Sequence, residues 1–115
     1  WETRRLRTPG HDWMVVKLAT RGVISRAEVD TCFNKGNFPE SCSFQAADMG
    51  ELGEGLDQMV VTAAQFWEDA ATRTTLAAAS IAEIPFVMRR PVTHVRFNIH
   101  PDGGVARLRL WGQAA

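Results

Sequence analysis

His94 and Arg96 stand two residues apart in the run Val92-Thr93-His94-Val95-Arg96-Phe97-Asn98-Ile99-His100. In an extended chain they share a face, side by side. A guanidinium is a planar, always-charged fork suited to a carboxylate, so this pair is a good place for a small anion. The plainer alternative is a solvated polar strand face. Further polar residues fall at the ends of apparent elements: Glu2, His11, Asp30 and Asn37, with Arg4, Arg5 and Arg7 clustered near the start. Each of these also has a structural reading. Glu2 and Asp30 can accept loop N–H bonds or pair with Arg, and His11 can be a satisfied turn histidine. The arginines can line an ion-paired strand edge, and Asn37 after Gly36 can occupy a left-handed turn. His11, His94 and His100 show no metal-ligand spacing. His94 and His100 would sit roughly 20 Å apart on a straight strand. No metal site and no cofactor are expected, with room left for a loosely held divalent ion.

The elements that must position these groups are mostly strands. In Val92–His100, Val95, Phe97 and Ile99 share one face while His94, Arg96, Asn98 and His100 share the other. Pro101-Asp102-Gly103-Gly104 is a turn signal. After it Ala106, Leu108 and Leu110 alternate with Arg107, Arg109 and Trp111. These runs predict an antiparallel hairpin of 92–99 with 105–111. Asp12–Leu18 reads as a short apolar strand, Arg21-Gly22 as a turn, and Val23–Thr31 as a second strand with Val23, Ser25, Ala27 and Val29 on one face. Asn34–Pro39 is loop, Ser41–Ala46 a third strand and Ile84–Met88 a short one. Residues 60–72 fit helix or strand equally well on propensity. Short strands at regular spacing predict a β-sandwich. The expected core is Trp13, Val15, Ile24, Val29, Val95, Phe97, Ile99, Leu108 and Leu110.

Length and composition bound the function. At 115 residues the chain holds one domain, 1–115. Thirteen basic residues balance thirteen acidic ones, so no bulk field draws nucleic acid or an anionic membrane. Any anion recognition must be local, and eleven of the thirteen cations are Arg. Cys32 and Cys42 form no disulfide framework and no zinc spacing, and read as reduced, buried thiols of a cytoplasmic protein. No apolar run approaches the ~20 residues of a membrane helix. The start at Trp1 reads as a chain cut mid-sequence, a fragment or one half of something longer.

Several blocks occur in order along the chain: Trp1-Glu2-Thr3-Arg4-Arg5, Gly10-His11-Asp12-Trp13, Val29-Asp30-Thr31, Gly36-Asn37-Phe38-Pro39, Thr93-His94-Val95-Arg96 and Pro101-Asp102-Gly103-Gly104-Val105-Ala106-Arg107. Together they resemble one repeat of the allantoicase family. The resemblance implies an all-β jelly-roll β-sandwich of the galactose-binding, discoidin-like kind, and shifts the middle segment toward strand plus loop around Phe66-Trp67-Glu68. It also implies hydrolysis of allantoate to ureidoglycolate and urea. That reaction needs a cation for the carboxylate, an acid and a base, and amide-type groups to read the ureido arm. On this resemblance Glu2, His11 and Asp30 are the acid–base candidates, and Arg4, Asn37, His94 and Arg96 the substrate-binding ones. The expected partners are a small ureide and a companion repeat or second copy, with no nucleic acid and no membrane. The segment from Ala47 to Ile84 departs from the family pattern, and the family's usual second repeat lies outside this chain. Two other functions stay open: a discoidin-like binding module, and a structural repeat that only assembles with its partner.

Overall fold

The structure is a computed structural model and describes residues 11–32, 38–50, 57–101 and 103–115. Six strands and one helix follow in the order β1 (Asp12–Asp30), β2 (Ser41–Ala47), α1 (Asp57–Ala64), β3 (Glu68–Thr75), β4 (Ile81–Pro85), β5 (Val92–His100) and β6 (Arg107–Ala114). The sheet order is β3-β2-β5-β1-β4, and β6 also pairs with β1. All these pairings are antiparallel.

β1 organises the fold. Its residues 12–17 pair with β5, 22–30 pair with β6 and 26–30 also with β4, and Gly22 at the fold-over pairs with Val92 of β5 as well. A straight strand of its 19 residues would reach about 60 Å. Yet its two ends are joined by a short connection. Asp12 N donates to Pro101 O at 3.2 Å and Ala106 N to Asp30 O at 2.8 Å. The six-residue segment Pro101–Ala106 can span only about 20 Å. β1 therefore doubles over where its register breaks, between Lys17 and Gly22. One half lies in a layer with β5, β2 and β3, the other in a layer with β4 and β6.

This arrangement corrects the expected hairpin. β5 and β6 are both strands, but they do not pair, because the connection from Pro101 to Ala106 crosses between layers and delivers β6 to the second half of β1. Alternation identifies a strand and its faces; it does not identify the neighbour. Arg21-Gly22 likewise marks the fold-over of one strand rather than a turn between two. The expected face Val23, Ser25, Ala27 and Val29 is also revised. Ile24, Ala27 and Val29 point inward and Ser25 is exposed, because an irregularity between Ile24 and Arg26 shifts the register by one residue.

The core fills the space between the layers. Phe97 stacks on Phe44 at 5.0 Å, and Phe44 meets Phe86 at 5.2 Å. Val95, Ile99, Ala27, Val29, Ile24 and Ile84 complete it. Of the expected core, Leu108 and Leu110 are partly buried against it. Val15 is partly buried on the other side of its sheet, under α1, and Trp13 is 39% exposed on that same side. Trp111 is also exposed, on the opposite layer. Cys42 is buried, and desolvation pushes its thiol up to about 12, while Cys32 is half-buried. Residues 60–72 divide. The helix ends at Ala64 and β3 begins at Glu68, so both readings held for part of the segment. Only Val60 and Ala64, one turn apart, are shown to bury the helix. The strand expected at 84–88 starts earlier, at Ile81, and Phe86 makes only an isolated bridge to Ala71.

Where β1 and β6 meet, their backbones approach closely. A Cβ added at Gly112 would lie 2.1 Å from Val23 O. Gly112→Ala should therefore pry the strands apart and cost about 1–3 kcal/mol, read as a lower denaturant midpoint. An unchanged midpoint would contradict this packing.

Candidate functional site

The face of β5 turned away from the core is polar yet buried. His94 is 4% exposed, Arg96 8% and Asn98 2%. The solvated-face reading of His94 and Arg96 is thus overturned. β5 is central in its layer, flanked by β2 and β1. Asn98 sits opposite Ser43 on β2 and Trp13 on β1; Arg96 sits opposite Gln45 and Val15; His94 sits opposite Ala47 and Lys17. One end of the face is roofed by α1 and by Trp67, three residues beyond its end. Val60, Ala64 and Trp67 pack onto Val15, Ala47 and Met49, and the Trp67 ring lies 6.0 Å from His94. Trp13 covers the middle, with the Arg96 guanidinium 4.6 Å from its ring centroid.

Hydrogen bonds fix most of these groups. His11 Nε2 meets Asn98 Oδ1 at 3.2 Å, and Asn98 Nδ2 donates to Gln45 Oε1 at 3.5 Å. Gln45 Nε2 in turn donates to Trp67 O at 3.0 Å. Thr93 Oγ1 meets His94 Nδ1 at 2.8 Å and also accepts from Met49 N, which orients the imidazole. At the far end Ser43 Oγ meets His100 Nε2 at 2.9 Å, and the His11 and His100 rings lie 4.8 Å apart.

On this face Trp67 Nε1 and Arg96 Nε are left over, and only Arg96 carries a charge. The Arg96 guanidinium is the group of interest. Its Nε is buried without a hydrogen-bond partner among the described residues, and no carboxylate there pairs with it. Burial pulls its pKa below the ordinary guanidinium value, and it remains a cation at neutral pH. A buried cation without a counter-ion is costly. The arrangement is a cationic donor flanked by amides, which matches what a small carboxylate needs.

His100 is held neutral. Burial, then the positive charges of Arg73 and His11, bring its pKa down to about 4 from 6.5. The unfolded chain takes up that proton near pH 6.5 and the folded chain resists until about pH 4, so folding stability should fall as pH drops through this window. Asp30 and Asp48, whose pKa values are lowered, lose their contributions only at lower pH. His100→Gln should flatten the decline between pH 6.5 and 4 in denaturant titrations; an unaltered slope would show that His100 is not its source.

Of the sequence-derived site residues, the structure brings together His11, His94 and Arg96. Asp30 stands apart on the other layer. The side-chain and backbone groups of Cys32 bond to its carboxyl and hold it below the usual carboxylate range, with Arg107 and Arg109 acting in the same direction. Glu2, Arg4 and Asn37 lie outside the described residues, as does the rest of the Arg4, Arg5 and Arg7 cluster. The sequence reading passed over Asn98, Gln45 and Ser43. The first shares the alternation of His94 and Arg96, and the other two alternate with Cys42, Phe44 and Ala46 on β2. Among the described residues no group of three or more His, Cys, Asp or Glu is placed to hold a metal ion. Likewise, no helix there is long and apolar enough to cross a membrane.

The antiparallel strands in two layers, with one helix among the described residues, are of the all-β, jelly-roll class. Comparison with known proteins narrows this further. The profile of the allantoicase repeat matches residues 1–115, and the chain belongs to the allantoicase family. It is 51% identical to a probable allantoicase of Rhizobium meliloti, over 100% of this chain and 35% of that protein. It is 53% identical to probable allantoicase 2 of Burkholderia pseudomallei, over 100% of this chain and 34% of that protein. The crystal structure of allantoicase from Saccharomyces cerevisiae superposes with a TM-score of 0.79 at 28% identity, covering 98% of this chain and 31% of that one. The chain thus spans about a third of the length of the curated relatives it matches.

Proposed function

We propose that the protein containing this chain is an allantoicase, and that the outward face of β5 binds the ureide. The observation that carries the reading is Arg96, a buried guanidinium with spare donor capacity and no carboxylate paired with it among the described residues. Allantoate is a carboxylate on a carbon that bears two ureido groups. Hydrolysis breaks the bond from that carbon to one ureido nitrogen. Water supplies the hydroxyl that stays on ureidoglycolate and the proton that leaves with urea.

In this reading Arg96 holds the carboxylate. Asn98 and Gln45, on the same face, read the retained ureido group through amide donors and acceptors. Asn98 lies two residues from Arg96, roughly 7 Å along the strand, a spacing that suits two ends of one small ureide. His11, next to Asn98, is placed to exchange the proton between water and departing urea. His94, held by Thr93, lines the face on the other side of Arg96. Glu2, Arg4 and Asn37 remain candidates to complete the site. The reaction as proposed needs no cofactor, takes place in the cytoplasm, and uses a companion repeat supplied by the rest of the longer protein.

Urea release from allantoate, by this chain alone and by the full-length protein, tests the reading. Arg96→Ala in the full-length protein should weaken allantoate binding by about 1.5–3 kcal/mol, a KM raised about 10- to 150-fold. Arg96→Lys should restore little, because an ammonium lacks the planar fork. Absent urea release from the full-length protein would rule the function out. Unchanged kinetics in Arg96→Ala would move the carboxylate site elsewhere.

A further inference from the structure

The outward face of the other layer is built on a different pattern. Its three strands carry their outward side chains in matched rows. Asp30 on β1 stands between Arg107 on β6 and Ile81 on β4. Glu28 stands between Arg109 and Glu83, and Arg26 between Trp111 and Pro85. The side chains share one side of the sheet: Arg109 approaches Glu28 at 3.9 Å, Arg26 approaches Glu83 at 3.7 Å, and the Arg26 guanidinium lies 4.7 Å from the Trp111 ring centroid. Three acids and three arginines make the face neutral in sum but segregated by strand, with two carboxylates on β1 facing two guanidinium groups on β6. It is open, with Trp111 41% and Ile81 58% exposed.

This segregation has a symmetry consequence. A two-fold axis lying on the face, parallel to the strands and midway between β1 and β6, turns a second copy over so that its β6 covers β1 and its β1 covers β6. Rows are preserved by that rotation. Asp30 then faces Arg107 of the copy, Glu28 faces Arg109, and the Arg26 guanidinium faces the Trp111 ring. Every charged row meets its opposite, and the cationic row meets an aromatic face. An isologous contact of this kind requires the same residues on both sides.

We propose that the outward face of β1 and β6 is a two-fold docking surface for a second copy of this chain. Charge complementarity selects the register and partner; Trp111 adds apolar area within the β6 column, and β4 with Ile81 borders the contact. The assignment is independent of the ureide reading, since it uses the layer opposite Arg96 and its test reads mass rather than turnover.

The test is charge reversal in the full-length protein, followed by sedimentation at moderate salt. Wild type should associate through this face, and R109E should raise the dissociation constant about tenfold or more. The double variant E28R/R109E should recover association, because both the internal pair and the pair across the axis are restored with their signs exchanged. That recovery separates an interface from a folding defect in R109E. A monomeric wild type, an R109E protein that associates like wild type, or a double variant that stays apart would each overturn the proposal. The first two outcomes would leave this face to solvent or to a companion repeat.

Discussion

Replacing Phe97 with Ala is expected to cost about 3–5 kcal/mol of folding free energy, through lost transfer energy and the cavity left behind. Phe97 is 0% exposed and sits on the central strand of its layer, opposite Phe44 on β2 and Met14 on β1. Its ring stacks on Phe44, which in turn touches Phe86 just beyond β4, so it joins the two layers through one aromatic contact chain. Strand backbones on both sides are hydrogen-bonded to β5 and leave little freedom for collapse into the void. The loss would take a large share of the total stability of a domain this size. Phe97→Leu keeps most of the volume and should cost less than Phe97→Ala. Denaturant unfolding measures both. A loss under about 1 kcal/mol for Phe97→Ala would mean that β5 does not turn this face to the core.

The second large effect concerns turnover. His11→Ala should lower kcat for urea release about 10²–10⁴-fold, the usual range for removing an acid or base, with KM little changed. His11 is the one acid–base candidate from the sequence that the described structure places on the polar face, with Nε2 against Asn98 Oδ1 at 3.2 Å. That contact sets the ring beside the amide proposed to read the ureido group, where the departing nitrogen would lie. Because His11 also helps hold Asn98, a purely positioning role would raise KM. The acid–base role predicts instead a fall in kcat together with loss of one limb of the pH–rate profile. A variant with normal kcat and an unaltered profile would assign proton transfer to another group, Glu2 among them.

Much of this was legible in the sequence because alternation reports faces directly. The alternation of Val92–His100 alone turns Val95, Phe97 and Ile99 inward and His94, Arg96 and Asn98 outward. Whether that outward face meets water is decided by residues far along the chain. Trp67 and α1 roof it from one side and Trp13 from the other, and no local pattern announces a roof. The expected β5–β6 hairpin failed for a related reason. A turn-rich segment can reverse a chain within a sheet or carry it to the next layer, and Pro101–Ala106 does the second. The doubling-over of β1 was half visible, in that Arg21-Gly22 looked like a turn although the pairing continues through Gly22. The helix at Asp57–Ala64 was obscured because Gly50, Gly53 and Gly55 precede it, a composition that favours loop over a helix start. Gln45 was legible in principle, since Ser41, Ser43 and Gln45 alternate with Cys42, Phe44 and Ala46 at the spacing of the site strand.

The claim at the centre of this account is that the outward face of β5 holds the ureide. Titration of allantoate into full-length protein carrying nitrogen-15 in its Arg, Asn and Gln side chains tests it directly, at a temperature low enough to outpace turnover. The account predicts saturable shifts of the Arg96 Nε–H and Asn98 Nδ2–H signals with a common dissociation constant, and little change at Arg107 and Arg109. Saturable shifts that leave Arg96 and Asn98 in place and fall on other arginines would contradict it.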